Sequence, residues 1–61
     1  MVDVNSGTRE QLLTLPGVNE KEADRIIAGR PYTRTDELVT RHILSKKEFA
    51  RISDLLKVGK G

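Results

Sequence analysis

Residues 12–19 read LLTLPGVN and residues 38–45 read LVTRHILS. The first stretch has Pro16-Gly17 at its centre. The second has His42-Ile43 in the same frame. The apolar positions on either side recur at helical spacing, and no run shows a sustained two-residue alternation, so strands are not expected. A proline directly before a glycine ends one helix, because the residue ahead of proline avoids the helical region. The residues after the glycine start another.

On both sides of these stretches, the spacing predicts four short helices in all. The first covers about Thr8 to Thr14, capped by Ser6 or Thr8, with Leu12 and Leu13 inward. The second covers about Glu20 to Ala28. Asn19 is its N-cap, Glu22 three residues on makes a capping-box pair, and Ala23, Ile26 and Ile27 share one face. Gly29 is read as its C′ residue. Pro31 and Tyr32 form a connector. Thr33 or Thr35 caps a third helix running to about Thr40, which buries Leu38 and Val39. Ser45 and Glu48 form a second capping box. The fourth helix then buries Phe49, Ile52, Leu55 and Leu56 and ends at Gly59.

The two quoted stretches belong to a longer internal match. Shifting the sequence by 26 residues superposes Leu12 on Leu38, Thr14 on Thr40, Lys21 on Lys47, Glu22 on Glu48, Arg25 on Arg51 and Ile26 on Ile52. The caps Asn19 and Ser45 also coincide. Such a period describes two copies of one helix–turn–helix unit, each unable to bury its apolar face alone. The chain of 61 residues is therefore expected to be a single all-α domain, a compact bundle of four to five short helices. Unit one is placed at about 6–29, a connector at 30–34, unit two at about 35–57 and a frayed tail at 58–61.

Composition narrows the function classes. Eleven basic and nine acidic residues leave a formal charge of +2, so electrostatic binding depends on local arrangement. Tyr32 and Phe49 are the only aromatic residues, which disfavours a stacking platform for single strands. There is no cysteine and a single histidine, and no carboxylate pair stands at metal-ligand spacing beside that histidine. An enzyme is not expected. No apolar run is long enough to span a membrane, so this segment is expected to make no membrane contact.

The Pro-Gly turn carries the functional expectation. Glycine takes positive φ cheaply and lets another backbone approach. The amides of Val18, Asn19, Glu20 and Lys21 begin a helix, where N–H groups lack internal acceptors and carry the positive end of the dipole. Such an end accepts a phosphate oxygen without regard to base. Against this, LPGV before a capped helix is also an ordinary way to join two helices. Glu20, Glu22 and Asp24 flank Lys21 and oppose a polyanion.

Leu12-x-x-Leu15-Pro16-Gly17-Val18, followed by Ala23, Ile26, Ile27 and Arg30, resembles the helix-hairpin-helix motif. Asp3-Val4-Asn5-Ser6, Pro31-Tyr32 and Asp36-Glu37-Leu38 extend the likeness to the tandem domain of competence-type DNA receptors and similar small bacterial proteins, from Asp3 to about Lys57. The resemblance implies a fold of the SAM/helix-hairpin-helix kind that grips duplex DNA phosphates without sequence preference, leaving single-stranded DNA open. It implies amides from Gly17, Val18 and Asn19 and a charge from Lys21. It also implies a monovalent cation held in some members by hairpin carbonyls, here those of Leu13, Leu15 or Val18; no other cofactor is expected. The compartment is left open between bacterial cytoplasm and export behind an upstream anchor.

The second unit departs from the family pattern. Arg41-His42-Ile43-Leu44 stands where a glycine hairpin is usual, and Ile43 does not take positive φ cheaply. The second copy is therefore expected to be degenerate, keeping its packing role and losing the backbone cradle. Arg41, Lys46 and Lys47 offer side-chain contacts instead, with His42 an exposed turn residue. The alternative is a structural or protein-interaction module of the same fold. An extrinsic subunit of photosystem II is similar in fold and does not work on DNA. An attached domain or protein partner would then carry the function.

Overall fold

The computed structural model describes residues 1–59. In chain order it contains β1 (Val2–Asp3), α1 (Arg9–Leu13), α2 (Glu20–Ala28), α3 (Glu37–Thr40), α4 (Lys46–Ile52), a 3₁₀ turn (Ser53–Leu55) and β2 (Leu56–Lys57). Three of the four helices start on a reciprocal capping box. Thr8 pairs with Gln11, Asn19 with Glu22 and Ser45 with Glu48. Thr8, not Ser6, caps the first helix.

The four helices converge on one centre. Leu12, Ile26, Leu38 and Ile52, one from each helix, are fully enclosed. They are also two of the identity pairs spaced 26 residues apart. Each such side chain contributes roughly 1.5–3 kcal/mol on burial.

Several expectations are corrected. The molecule is mostly helical, not all-α. β1 and β2 pair in parallel, with Val2 opposite Leu56 and Asp3 opposite Lys57. The amide of Val4 extends the ladder to the Lys57 carbonyl at 3.0 Å. The fourth helix therefore stops at Ile52 instead of reaching Gly59. A continued helix would keep Leu55 and Leu56 on the Ile52 stripe. The 3₁₀ turn and strand instead drive Leu56 into the core and leave Leu55 43% exposed.

The third helix has no threonine cap. Asp36 holds the N-cap position without a side-chain bond. The Glu37 carboxylate turns back instead and accepts from the Thr33 amide at 2.6 Å, the Thr33 hydroxyl at 2.7 Å and the Arg34 amide at 2.8 Å. Gly29 is not a left-handed C′ residue; its φ is −88°. Glycine is needed there for space, since a Cβ would lie 2.5 Å from the Tyr32 hydroxyl oxygen, which donates to the Ile26 carbonyl at 2.8 Å.

The connector is part of the core. Tyr32 is buried, its amide donates to Asn5 Oδ1 at 2.6 Å, and Asn5 Nδ2 returns a bond to the Tyr32 carbonyl at 2.8 Å. The same Nδ2 reaches the Gly59 carbonyl at 3.1 Å. Val58 packs against the core. The expected frayed tail is thus tied in through Gly59, and its last two residues, Lys60 and Gly61, lie outside the described residues.

Candidate nucleic-acid interface

The hairpin between α1 and α2 is a type II turn. Pro16 takes its first central position and Gly17 its second, with φ +84° at Gly17 and the Val18 amide donating to the Leu15 carbonyl at 3.2 Å. Leu15 and Val18 are buried, so the two ends of the turn are pinned to the core while Pro16 and Gly17 face solvent. A Cβ at Gly17 would meet nothing within 4 Å. Glycine therefore serves the backbone conformation here, and the space outside it is open to a second molecule.

The amides at this end divide into two sets. That of Val18 is used by the turn, and that of Asn19 donates to Glu22 Oε1 at 3.2 Å. The Glu22 amide donates to Asn19 Oδ1 at 2.8 Å. Among the described residues, the amides of Gly17, Glu20 and Lys21 have no internal acceptor. Of the three amides the resemblance offers, two are thus internally satisfied. The open donors lie on Gly17 and the first turn of α2. The Lys21 side chain is exposed at the same end.

The Leu15 carbonyl, one of three the resemblance offers a cation, already accepts the Val18 amide. A carbonyl has two lone pairs, so the Leu15 oxygen keeps one for a second partner.

The turn after α3 is built differently. The His42 amide donates to the Val39 carbonyl and the Ile43 amide to the Leu38 carbonyl, both at 2.9 Å. With His42 at φ +60°, this is a Schellman closure. The left-handed position that glycine usually fills is therefore present one residue before Ile43, on histidine. Ile43 is buried. The turn is further fixed by Arg25 Nη2, which donates to the His42 carbonyl at 3.0 Å.

Arg41 lies at the surface but is tied to its own chain. Its Nη1 donates to the Gly29 carbonyl at 2.7 Å and its Nη2 to Glu37 Oε1 at 2.6 Å. Its guanidinium carbon stands 4.9 Å from the Tyr32 ring centroid. Lys46 and Lys47 are exposed in the first turn of α4.

The acidic flank beside Lys21 is not bare. Arg9 Nε meets Asp24 Oδ1 at 2.7 Å, and Arg9 Nη2 stands 3.8 Å from Glu20 Oε2. Helical spacing within α2 could not reveal this, because the cation comes from the first residue of α1. Glu22 and Glu48, the inner members of two capping boxes, come together. Burial raises the Glu22 carboxyl and the neighbouring Glu48 adds to the rise, against the bond from the Asn19 amide. Glu48 is held low, first by the Ser45 amide and then by its bond with Glu22.

The turn thus presents an open glycine and delivers the chain to a helix N-terminus where the amides of Glu20 and Lys21 have no internal acceptor. A model of the helix-hairpin-helix motif matches residues 1–57. The chain belongs to the helix-hairpin-helix family, whose motif is commonly a sequence-independent DNA-binding element. Comparison with curated proteins and with solved structures found no match. Among the described residues, no helix is long and apolar enough to cross a membrane, and no group of three histidine, cysteine or acidic residues could hold a metal ion.

Proposed function

We propose that the chain is a sequence-independent DNA-binding module, with no catalytic role, that holds backbone phosphates at the Pro16–Gly17 hairpin. It consists of two helix-hairpin-helix units, a layout that resembles the tandem domain of competence-type DNA receptors, with the second unit degenerate where that family usually repeats the glycine hairpin. The observation that carries this is Gly17. It is exposed at φ +84°, with open space where a Cβ would stand, next to the unpaired amides of Glu20 and Lys21. Lys21 adds a charge at that end, and Lys46 and Lys47 offer a second contact. Val18 and Asn19 act by holding the hairpin in shape. Arg41 acts by bracing Glu37 and Gly29.

A few phosphate contacts give weak affinity, on the order of 10⁻⁴ to 10⁻⁶ M at physiological salt. Fluorescence anisotropy with a labelled duplex at several salt concentrations tests the proposal. Lys21→Ala is expected to weaken binding and lower the salt slope by about 0.9. Lys46→Ala/Lys47→Ala should lower it again, and scrambling the duplex sequence should change nothing. A wild-type chain that shows no salt-dependent binding overturns the proposal. Glycine replacements are poor probes here, because any L side chain at φ +84° strains the turn.

The alternative, a structural or protein-interaction module, is favoured by the commitment of the Arg41 guanidinium to the Gly29 carbonyl and Glu37. It leaves the second hairpin with two lysines and no open glycine.

A further inference from the structure

Within α2, the phosphate site proposed above has an electrostatic opponent. Glu20, Glu22 and Asp24 against Lys21 leave the first turns with two net negative charges. Glu22 is committed to its capping box, whereas Glu20 and Asp24 project into solvent with side chains 79% and 60% exposed. Arg9 reaches both from α1. The contact to Asp24, at 2.7 Å, has the length of a charge-assisted hydrogen bond. The longer approach to Glu20 places the same guanidinium between the two carboxylates. The Thr8 capping box sets where α1 begins, and so where Arg9 stands.

We propose that Arg9 is a positioning residue for DNA binding, a cation held between Asp24 and Glu20 that offsets one of the two net negative charges of the acidic flank and eases the approach of a phosphate to Gly17 and Lys21. This role rests on the DNA-binding function proposed above. Two other roles compete with it. As a purely stabilising pair, Arg9–Asp24 would contribute little, since both side chains are largely exposed. As a direct phosphate ligand, Arg9 would keep Nε on Asp24 Oδ1 and offer its remaining N–H donors to the DNA, an arrangement that only the binding measurements below separate from the positioning role.

Paired backgrounds separate these roles. Duplex affinity is measured by anisotropy at low salt for the wild type, Arg9→Gln, Glu20→Gln/Asp24→Asn, and the triple variant. Arg9→Gln keeps much of the side-chain stem, and thermal unfolding followed by circular dichroism verifies that each variant is folded. The expected result is that Arg9→Gln weakens binding about two- to fivefold in the wild-type background, an effect that salt erases. The Glu20→Gln/Asp24→Asn background should bind more tightly than the wild type, and because Arg9 there has no carboxylates to hold it at the flank, the same change should cost clearly less than in the wild-type background. An equal loss in both backgrounds makes Arg9 a direct phosphate contact and overturns the inference. So does no loss in the wild-type background. Absence of wild-type binding overturns the DNA-binding function itself, and the role of Arg9 with it.

Discussion

Two of the described residues hold positive φ, and they differ in kind. Gly17 does so at little cost. His42, at φ +60°, carries a side chain whose Cβ crowds the backbone in that conformation. Replacing His42 with glycine removes the crowding and adds backbone entropy to the unfolded chain, so the two effects partly offset. Crowding is the larger, and His42→Gly is expected to stabilise the protein by about 0.5–1 kcal/mol. Urea denaturation would show the midpoint rise with the slope unchanged; a fall would mean that the imidazole makes a contact worth more than the strain. The glycine at 17 and the turn around it were legible from LPGV alone. The left-handed residue at 42 was not. The 26-residue frame set Ile43 opposite Gly17, and the Schellman closure places the positive φ one residue earlier.

Among the elements, α3 shows how a helix of four residues can be held. Its entry depends on one carboxylate. Glu37 accepts from the hydroxyl and amide of Thr33 and from the Arg34 amide, and it takes a fourth bond from Arg41. These bonds, the Thr33 hydroxyl first, lower its carboxyl from the usual 4.5 to about 2. Because the folded value lies below the unfolded one, the bonds contribute stability that is fully present above about pH 4.5 and lost as pH falls toward about 2. Glu37→Gln is expected to lower the melting temperature at pH 7 and to flatten its fall across that acid window. A variant curve parallel to the wild type would show that Glu37 does not couple folding to protons. Capping boxes at Asn19 and Ser45 could be read from spacing because their partners lie three residues away. The entry to α3 could not, because its acceptor sits inside the helix and reaches back to donors that resemble caps themselves.

Across the molecule, the two ends of the chain close the fold. The helices were visible as periodic apolar runs. The closure was not, because a strand of two residues has no period and its partner lies more than fifty residues away. Asn5 is the centre of this closure. Its side chain accepts from the Tyr32 amide and donates to the carbonyls of Tyr32 and Gly59, joining the start of the chain, the connector and the tail. Arg30 adds a parallel tie, from its Nε to the Val4 carbonyl at 2.7 Å and from Nη2 to that of Gly7. A net contribution of about 1 kcal/mol per bond would make Asn5→Ala cost about 2–3 kcal/mol. A domain of this size has only about 3–9 kcal/mol in total. The loss should therefore be global. Hydrogen exchange of the α2 amides, far from Asn5 in sequence, should speed up by the same factor as that of the amides of β2. If only residues near β1 and β2 exchange faster, the ends form a separate flap and the helices stand without them. The expected outcome is the cooperative one, because Tyr32 connects the chain's ends to the helices: its backbone bonds Asn5 while its hydroxyl donates to the Ile26 carbonyl in the last turn of α2.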